Sequence, residues 1–313
     1  MLSVPFVAPM VYRHDVLEPR RPGIPKLVFC KERRGGGMPD SDYFVAEAQI
    51  NQFWRDGAIV LRHLVEPEWL DILAGAIDRD IACPGPCYHG YEEENGRGRF
   101  HGNLRIWEND PDFRAICLNS GLPAIARQFF GGGKVNLLYD QLFVKEPGTV
   151  NRTRWHNDQP YWPVSGRHVI SFWFSPDPVT KETGALEFIR GSHEWGRWFQ
   201  PEVFGDLKKT GGSGYDENPD YEPMIDVEAS RRDYDIIGWD LEPGDVYVFQ
   251  GLTVHGAGGN ERQDIRRRGY TVRYTGADAS YDARPGTSKP LQVATIQTGQ
   301  PMDSERFPLI IPS

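Results

Sequence analysis

The sequence predicts a mainly β fold with flanking helices, and three observations predict it. Beyond Gly131-Gly132-Gly133 lie short runs rich in Val, Ile, Phe, Trp and Tyr, at 134–145, 153–158, 168–174, 185–189, 245–250 and 269–274. Clusters of Pro, Gly or Asn separate these runs, which is the pattern of an antiparallel sandwich or barrel. Ahead of them, apolar residues recur at helical rather than alternating spacing.

Taken in order, residues 1–40 are rich in Pro, Gly and Arg, lack periodicity and read as an extended N-terminal arm. A single domain is expected over 41–290, helical from 41 to 130 and a β core from 131 to 280. Its first helix starts near Ser41, with Asp40 or Ser41 as cap. It carries Ala46, Ile50, Phe53 and Trp54 and ends at Gly57. Residues 58–61 read as a short strand. Pro67 suits the first turn of a second helix lined by Leu70, Leu73 and Ile77. Residues 83–103, dense in Gly, Pro and charge, read as a loop. A third helical region, broken by Gly121 and Pro123, runs from about 111 to 130. The polar, Gly-rich stretch 194–234 reads as a lid-like insertion, because loops of that length inside a domain usually serve binding. Residues 291–313 are expected to form a C-terminal tail.

Composition narrows the functional classes. A hydrophobic share of 39% is that of a soluble globular chain, and 313 residues suffice for a sizeable core. The net charge of −9 opposes bulk attraction to nucleic acid or an anionic membrane. No segment has the apolar length that spans a bilayer. Residues 1–10 are apolar but interrupted by Pro5 and Pro9, with no basic run before them, so they do not read as a signal peptide. Cys30, Cys83, Cys87 and Cys117 are too scattered for a disulfide framework and fit a reducing cytoplasm. Cys83 and Cys87 also lack the second Cys/His pair of a metal clip.

Only one histidine, His156, has an acidic residue two positions on, Asp158. On a strand, residues i and i+2 face the same way, so both side chains can reach one ion while Asn157 points away. His-x-Asp is a common pair by itself. Downstream, Pro243-Gly244-Asp245 and the run to Gln250 read as turn and strand, followed by His255-Gly256. A histidine flanked by small residues at a strand end can approach a metal without crowding. Two histidines and one carboxylate make the facial triad of non-haem iron oxygenases. Further on stand Arg266-Arg267-Arg268; at least two of these belong on a solvated turn, while one turned inward offers a planar fork to a carboxylate.

A series of motifs runs through the chain: Gln49-Ile50-x-x-Phe53-x-x-Asp56-Gly57, His156-Asn157-Asp158-Gln159, Thr183-Gly184-Ala185-Leu186, Gly191-Ser192-His193, Pro243-Gly244-Asp245, His255-Gly256, Asn260, and Arg267 to Tyr274. In this order, over roughly residues 49–281, the sequence resembles the phytanoyl-CoA dioxygenase-like (PhyH) family of Fe(II)/2-oxoglutarate-dependent oxygenases. The resemblance implies a double-stranded β-helix (a cupin-like jelly roll), with Fe(II), 2-oxoglutarate as cosubstrate and O2. It implies His156, Asp158 and His255 as iron ligands, and Gln141 and Trp173 beside the cosubstrate. For the arginine that grips 2-oxoglutarate, spacing from His255 favours Arg266, whereas aligning back from the following strand favours Arg267. Arg267 is the choice made here, since it shares a face with the small residues Gly269 and Thr271.

The carboxylate at Asp158 bears on the reaction: in related halogenases a small residue stands there, so hydroxylation is expected. The expected activity is a dioxygenase hydroxylating an unactivated C–H bond of a small organic molecule, with release of succinate and CO2. Tyr161, Trp162 and Trp155 are the candidates for a substrate wall. A cytoplasmic monomer or homodimer is expected, without nucleic-acid or membrane partners. The alternatives are a nucleic-acid demethylase of the same iron class, for which Arg267 and Arg273 have the right spacing, and a non-catalytic metal-binding jelly roll.

Overall fold

The computed structural model describes residues 43–91, 98–202 and 215–313; the arm expected over 1–40 lies outside them. Helix α1 (Glu47–Asp56) starts later than the sequence suggests. Residues 43–46 are extended, and the Gln49 side chain accepts the Ala46 N–H (2.9 Å) where a capping side chain would act from the other direction. The helix ends where Gly57 takes a left-handed turn (φ 82°). Strand β1 (Ala58–Leu61) follows, then α2 (Pro67–Ala82) with Pro67 in its first turn and Leu70, Leu73 and Ile77 buried. Residues 83–103 are not all loop: β2 (Tyr88–Tyr91) and β3 (Phe100–Leu104) form a hairpin whose second strand pairs with the core. Their short runs carry His, Gly and Asn in place of β-branched residues, which hid them. Helices α3 (Pro111–Asn119) and α4 (Leu122–Phe129) complete the helical part, separated at Ser120-Gly121.

The β core comprises β4 (Val135–Lys145), β5 (Thr153–His156), β6 (Val164–Ser165), β7 (Val169–Phe174), β8 (Leu186–Ile189), β9 (Ile236–Gly238), β10 (Val246–Gln250), β11 (His255–Ala257), β12 (Arg267–Thr275) and β13 (Ser280–Tyr281). A large sheet has the order β1-β10-β7-β12-β4-β3-β2, and a smaller one the order β5-β11-β8-β9. All pairings in both are antiparallel. The chain passes back and forth between the sheets, from β4 to β5, β7 to β8, β10 to β11 and on to β12, which is the double winding of a jelly roll. Residues 291–313 do more than trail: Met302 and Phe307 are buried, and β14 (Leu309–Ile311) pairs with β4.

Alternation along the strands builds the layers. On the large sheet, Leu142, Val144, Phe172, Val248, Val272 and Tyr274 face the helices and pack on Phe53, Leu73, Ile77, Phe113 and Ile125. The opposite face turns Trp173, Tyr247 and Phe249 toward Leu186, Phe188 and Ala257 of the small sheet. The far side of the small sheet is covered by the insertion, whose Phe199 and Val227 pack on Trp155, Ile189 and Val254. Among the described residues, no helix is long and apolar enough to cross a membrane.

Candidate metal centre and cosubstrate pocket

His156 ends β5 and His255 begins β11, and antiparallel register places the two directly opposite. Their rings lie 4.3 Å apart, centroid to centroid. Asp158 is not on the strand. It sits at helical angles (φ −76°, ψ −40°) at the head of the turn Gln159–Tyr161, so a bend after His156 brings it back. The outcome expected from strand parity is therefore reached by a turn. Asp158 Oδ1 lies 3.2 Å from His156 Nε2, and ligand atoms of His156, Asp158 and His255 all fall within 4.8 Å of one another. Gly256 permits the approach, since a Cβ there would meet Trp155 at 3.1 Å and the Thr153 carbonyl at 3.2 Å.

Hydrogen bonding aims the imidazoles. His156 Nδ1 donates to the Arg154 carbonyl (2.8 Å) and His255 Nδ1 to the Thr253 carbonyl (2.9 Å). A carbonyl only accepts, so the proton is on Nδ1 in both rings and the Nε2 lone pair is left for an ion. Burial, with His156 beside it, lowers His255 to about 4, which keeps it neutral at pH 7. Burial alone would raise the Asp158 carboxyl. The Arg273 guanidinium outweighs it and holds the group below the usual carboxylate range. Asp158 Oδ2 is buried with no hydrogen-bond partner. Two imidazoles turned by backbone carbonyls, one carboxylate and an orphaned carboxylate oxygen fit a divalent iron.

The inner face of the large sheet carries the rest. Of the three successive arginines, Arg266 is 40% exposed and bound to Glu146 (2.9 Å), and Arg268 is bound to Asp177 (2.7 Å). Arg267 turns inward, buried, with Nη1 on the Phe143 carbonyl (3.2 Å) and its guanidinium 5.4 Å from the Trp173 ring. The Thr183 carbonyl accepts from its Nε (3.4 Å), and Asn260 ties the preceding loop to the Lys145 and Ile265 carbonyls. Two steps along the same face, Gln141 stands opposite Thr271, and Thr271 opposite Trp173. The hydroxyls of Thr271 and Ser171 are buried without a partner. This face thus offers a cation at one end, unmet hydroxyls along it and the triad at the other, which fits a dicarboxylate.

A family model described as phytanoyl-CoA dioxygenase (PhyH) matches residues 53–268. The chain belongs to the phytanoyl-CoA dioxygenase family. Members are Fe(II)- and 2-oxoglutarate-dependent dioxygenases acting on small molecules, and this chain is a dioxygenase of that class. Its relatives in the family include the dioxygenase aneA of Aspergillus aculeatus, 26% identical over 72% of this chain and 70% of that one. The peroxisomal phytanoyl-CoA dioxygenase of Homo sapiens is 22% identical over 78% of this chain and 67% of its own. In fold the chain is similar to SnoK, a non-haem α-ketoglutarate-dependent carbocyclase from nogalamycin biosynthesis, with a TM-score of 0.68. The identity is 20%, over 88% of this chain and 100% of SnoK. It is also similar to EctD from S. alaskensis (TM-score 0.61, 18% identity, 86% and 90% coverage). The jelly roll expected of a PhyH protein is the fold observed.

The aromatic trio separates. Tyr161 packs against the His156 ring (5.9 Å) and bonds through its hydroxyl to both the N–H (2.8 Å) and the carbonyl (3.1 Å) of Glu202 in the insertion. Trp162 is buried, donating to the Tyr139 hydroxyl (2.7 Å). Trp155 is set apart from the other two. It lies on the other side of β5 from His156, in the cluster beneath the insertion, and donates to Glu228 (2.7 Å). A one-residue step along a strand reverses the side chain's direction. A narrow crevice beside His156 is bordered by Arg154, Trp155, Tyr161, Gln200, Glu202 and Met224.

Sequence reasoning missed two cations. Lys145 stands opposite Arg267, buried, with its amine on the Thr153 hydroxyl (3.3 Å) and the Gly258 carbonyl. Burial, and then Arg267, push it well below the ordinary lysine range. It shares Gln141's face four residues on, so strand parity would have found it. Arg273, on Arg267's face, was noted only for its spacing.

Proposed function

We propose that His156, Asp158 and His255 hold Fe(II), that Arg267 grips the distal carboxylate of 2-oxoglutarate with Gln141 and Trp173 alongside, and that the enzyme hydroxylates an unactivated C–H bond of a small organic molecule. The observation that carries this is the convergence of three ligand groups within 4.8 Å, with both imidazoles turned by backbone carbonyls. Bound iron and cosubstrate supply the oxidising chemistry, with succinate and CO2 as by-products. The chain's own residues bind and orient: Arg267 fixes the far end of the cosubstrate, and the buried inner face excludes water. Asp158 keeps a carboxylate where a halide would need room, which favours hydroxylation.

The substrate enters by the crevice beside His156, with Tyr161 as its wall and Trp162 behind. Three of the four arginines that could receive a CoA phosphate are engaged, Arg152 with Glu228 (3.2 Å), Arg154 with Glu202 (2.6 Å) and Arg231 with Glu187 (2.7 Å), while Arg232 is exposed. This favours a compact organic molecule over a CoA thioester. The net charge of −9 supports a protein without nucleic-acid partners. We place it in the cytoplasm, as a monomer or homodimer.

The test is succinate release from protein supplied with Fe(II), ascorbate, 2-oxoglutarate and a panel of small substrates. Stimulated release by the wild type, abolished in Asp158→Ala, is the expected result. If saturating Fe(II) and 2-oxoglutarate neither bind nor give the weak visible charge-transfer band of such centres, the reading fails.

A further inference from the structure

We propose that Arg273 is a positioning residue of the iron centre: it holds the outer oxygen of Asp158 and so limits that carboxylate to one oxygen on the metal. The inference rests on the reading of His156, Asp158 and His255 as iron ligands. Arg273 lies on the inner face of β12, six residues beyond Arg267, so their Cα atoms are about 20 Å apart along the strand. It is 3% exposed. Its guanidinium lies against two rings, 4.5 Å from Tyr139 and 5.0 Å from Trp162. Those rings stand nearly perpendicular to each other (78°) and are joined by the Trp162 Nε1 to Tyr139 hydroxyl bond (2.7 Å), so the corner they make is fixed independently of its occupant. The guanidinium is a permanent charge with several donors, so it can rest against both rings and still reach a carboxylate.

The two oxygens of Asp158 have different neighbours. Oδ1 lies 3.2 Å from His156 Nε2, on the side of the triad, whereas Oδ2 lies 3.7 Å from Arg273 Nη2. That separation is an ion pair but not yet a hydrogen bond. Oδ2, and Nε and Nη1 of Arg273, are buried without hydrogen-bond partners, a costly condition for charged groups. Closing by about 0.8 Å would make a charge-assisted bond of ordinary length. With Oδ2 held there, Asp158 would offer a metal its other oxygen alone, leaving room for cosubstrate and O2. Arg273 pairs in register with Ser171, whose hydroxyl is also buried without a partner.

The experiment is anaerobic titration of full-length protein with Co(II) or Fe(II), in the wild type, Arg273→Gln, Arg273→Lys and the surface control Arg266→Ala. Metal binding should weaken ten- to a hundredfold in both Arg273 variants and stay unchanged in the control, the size usual for losing a partner of a ligand. Lysine should not rescue, because it keeps the charge but not the fork. Binding within twofold of wild type in both variants would overturn the proposal. A wild type that binds no metal would instead overturn the assignment of the ligands. Should the variants not fold, a crystal structure of the wild type with Fe(II) decides. One Asp158 oxygen on iron and the other within 3.2 Å of Arg273, about the limit of a hydrogen bond, supports the proposal; two oxygens on iron refute it.

Discussion

Replacing Gly269 by alanine would put one methyl group where Trp173 and Arg267 meet. A Cβ built at Gly269 falls 2.6 Å from Arg267 Nη1 and 2.8 Å from Trp173 Cε2, and closer still to another ring carbon of Trp173. The guanidinium can swing, but the indole is buried between Gly269 and Tyr247, whose ring is 5.4 Å away. The added carbon therefore displaces the cation assigned to the cosubstrate. Overpacking a buried position costs about 1–3 kcal/mol. Since 1.4 kcal/mol is tenfold, that corresponds to a rise of about 5- to 140-fold in half-saturating 2-oxoglutarate. Iron binding should stay within twofold, because the triad lies at the other end of the face. The assay follows the visible charge-transfer band of the anaerobic Fe(II) protein during 2-oxoglutarate titration, with metal affinity measured separately. An unchanged 2-oxoglutarate curve would show that the pocket does not lie across Gly269. Equal losses of metal and cosubstrate binding would show that the methyl group disturbs the whole sheet.

Three more outcomes are expected. Arg267→Ala should raise the 2-oxoglutarate requirement at least tenfold more than Arg266→Ala, in steady-state succinate assays; equal effects would remove Arg267 from the pocket. Burial lifts Asp140 from an ordinary 3.8 to about 7, against the pull of donors from Tyr270 and the Trp107 N–H. The folded chain then keeps a proton that the unfolded chain loses, so stability falls as pH rises from about 4 to 7 and levels off above. At 1.36 kcal/mol per pH unit this contribution is at most about 4 kcal/mol. Urea melts at pH 5 and 8 should show a smaller pH difference in Asp140→Asn, and an identical difference would rule out this residue as the source. Trp155→Phe should cost about 1 kcal/mol by losing its bond to Glu228, while 2-oxoglutarate-dependent turnover stays within about twofold. A large loss of turnover would return Trp155 to the substrate wall.

Much of the fold is legible because each core strand alternates under the constraint of two different neighbours. The run 269–274 reads as β because Tyr270, Val272 and Tyr274 face the helices, while small and polar residues face inward. The hairpin of β2 and β3 is not legible, since its stability comes from pairing with β4 rather than from its own side chains. His156 and Asp158 could be paired from spacing, though the backbone that joins them is a turn. What spacing cannot give is the partner across the sheet: Lys145 opposite Arg267, Tyr139 opposite Arg273. Register is fixed by the folded whole, so parity can place Lys145 on the inner face, but its pairing with Arg267 becomes visible only in three dimensions. Trp155 misleads for the same reason, because its neighbour in sequence is not its neighbour in space.

Tyr161 touches two things that are far apart in the chain. Its ring rests on His156, and its hydroxyl closes both backbone bonds of Glu202, in the insertion that covers the small sheet. A displacement of the insertion is thereby handed to an imidazole through one rigid phenol, with no flexible joint between. The surface and the centre are the two arms of a short lever. A spectrum taken at the metal would then serve as a gauge of events at the rim, and a molecule settling under the insertion would announce itself there before any bond is broken.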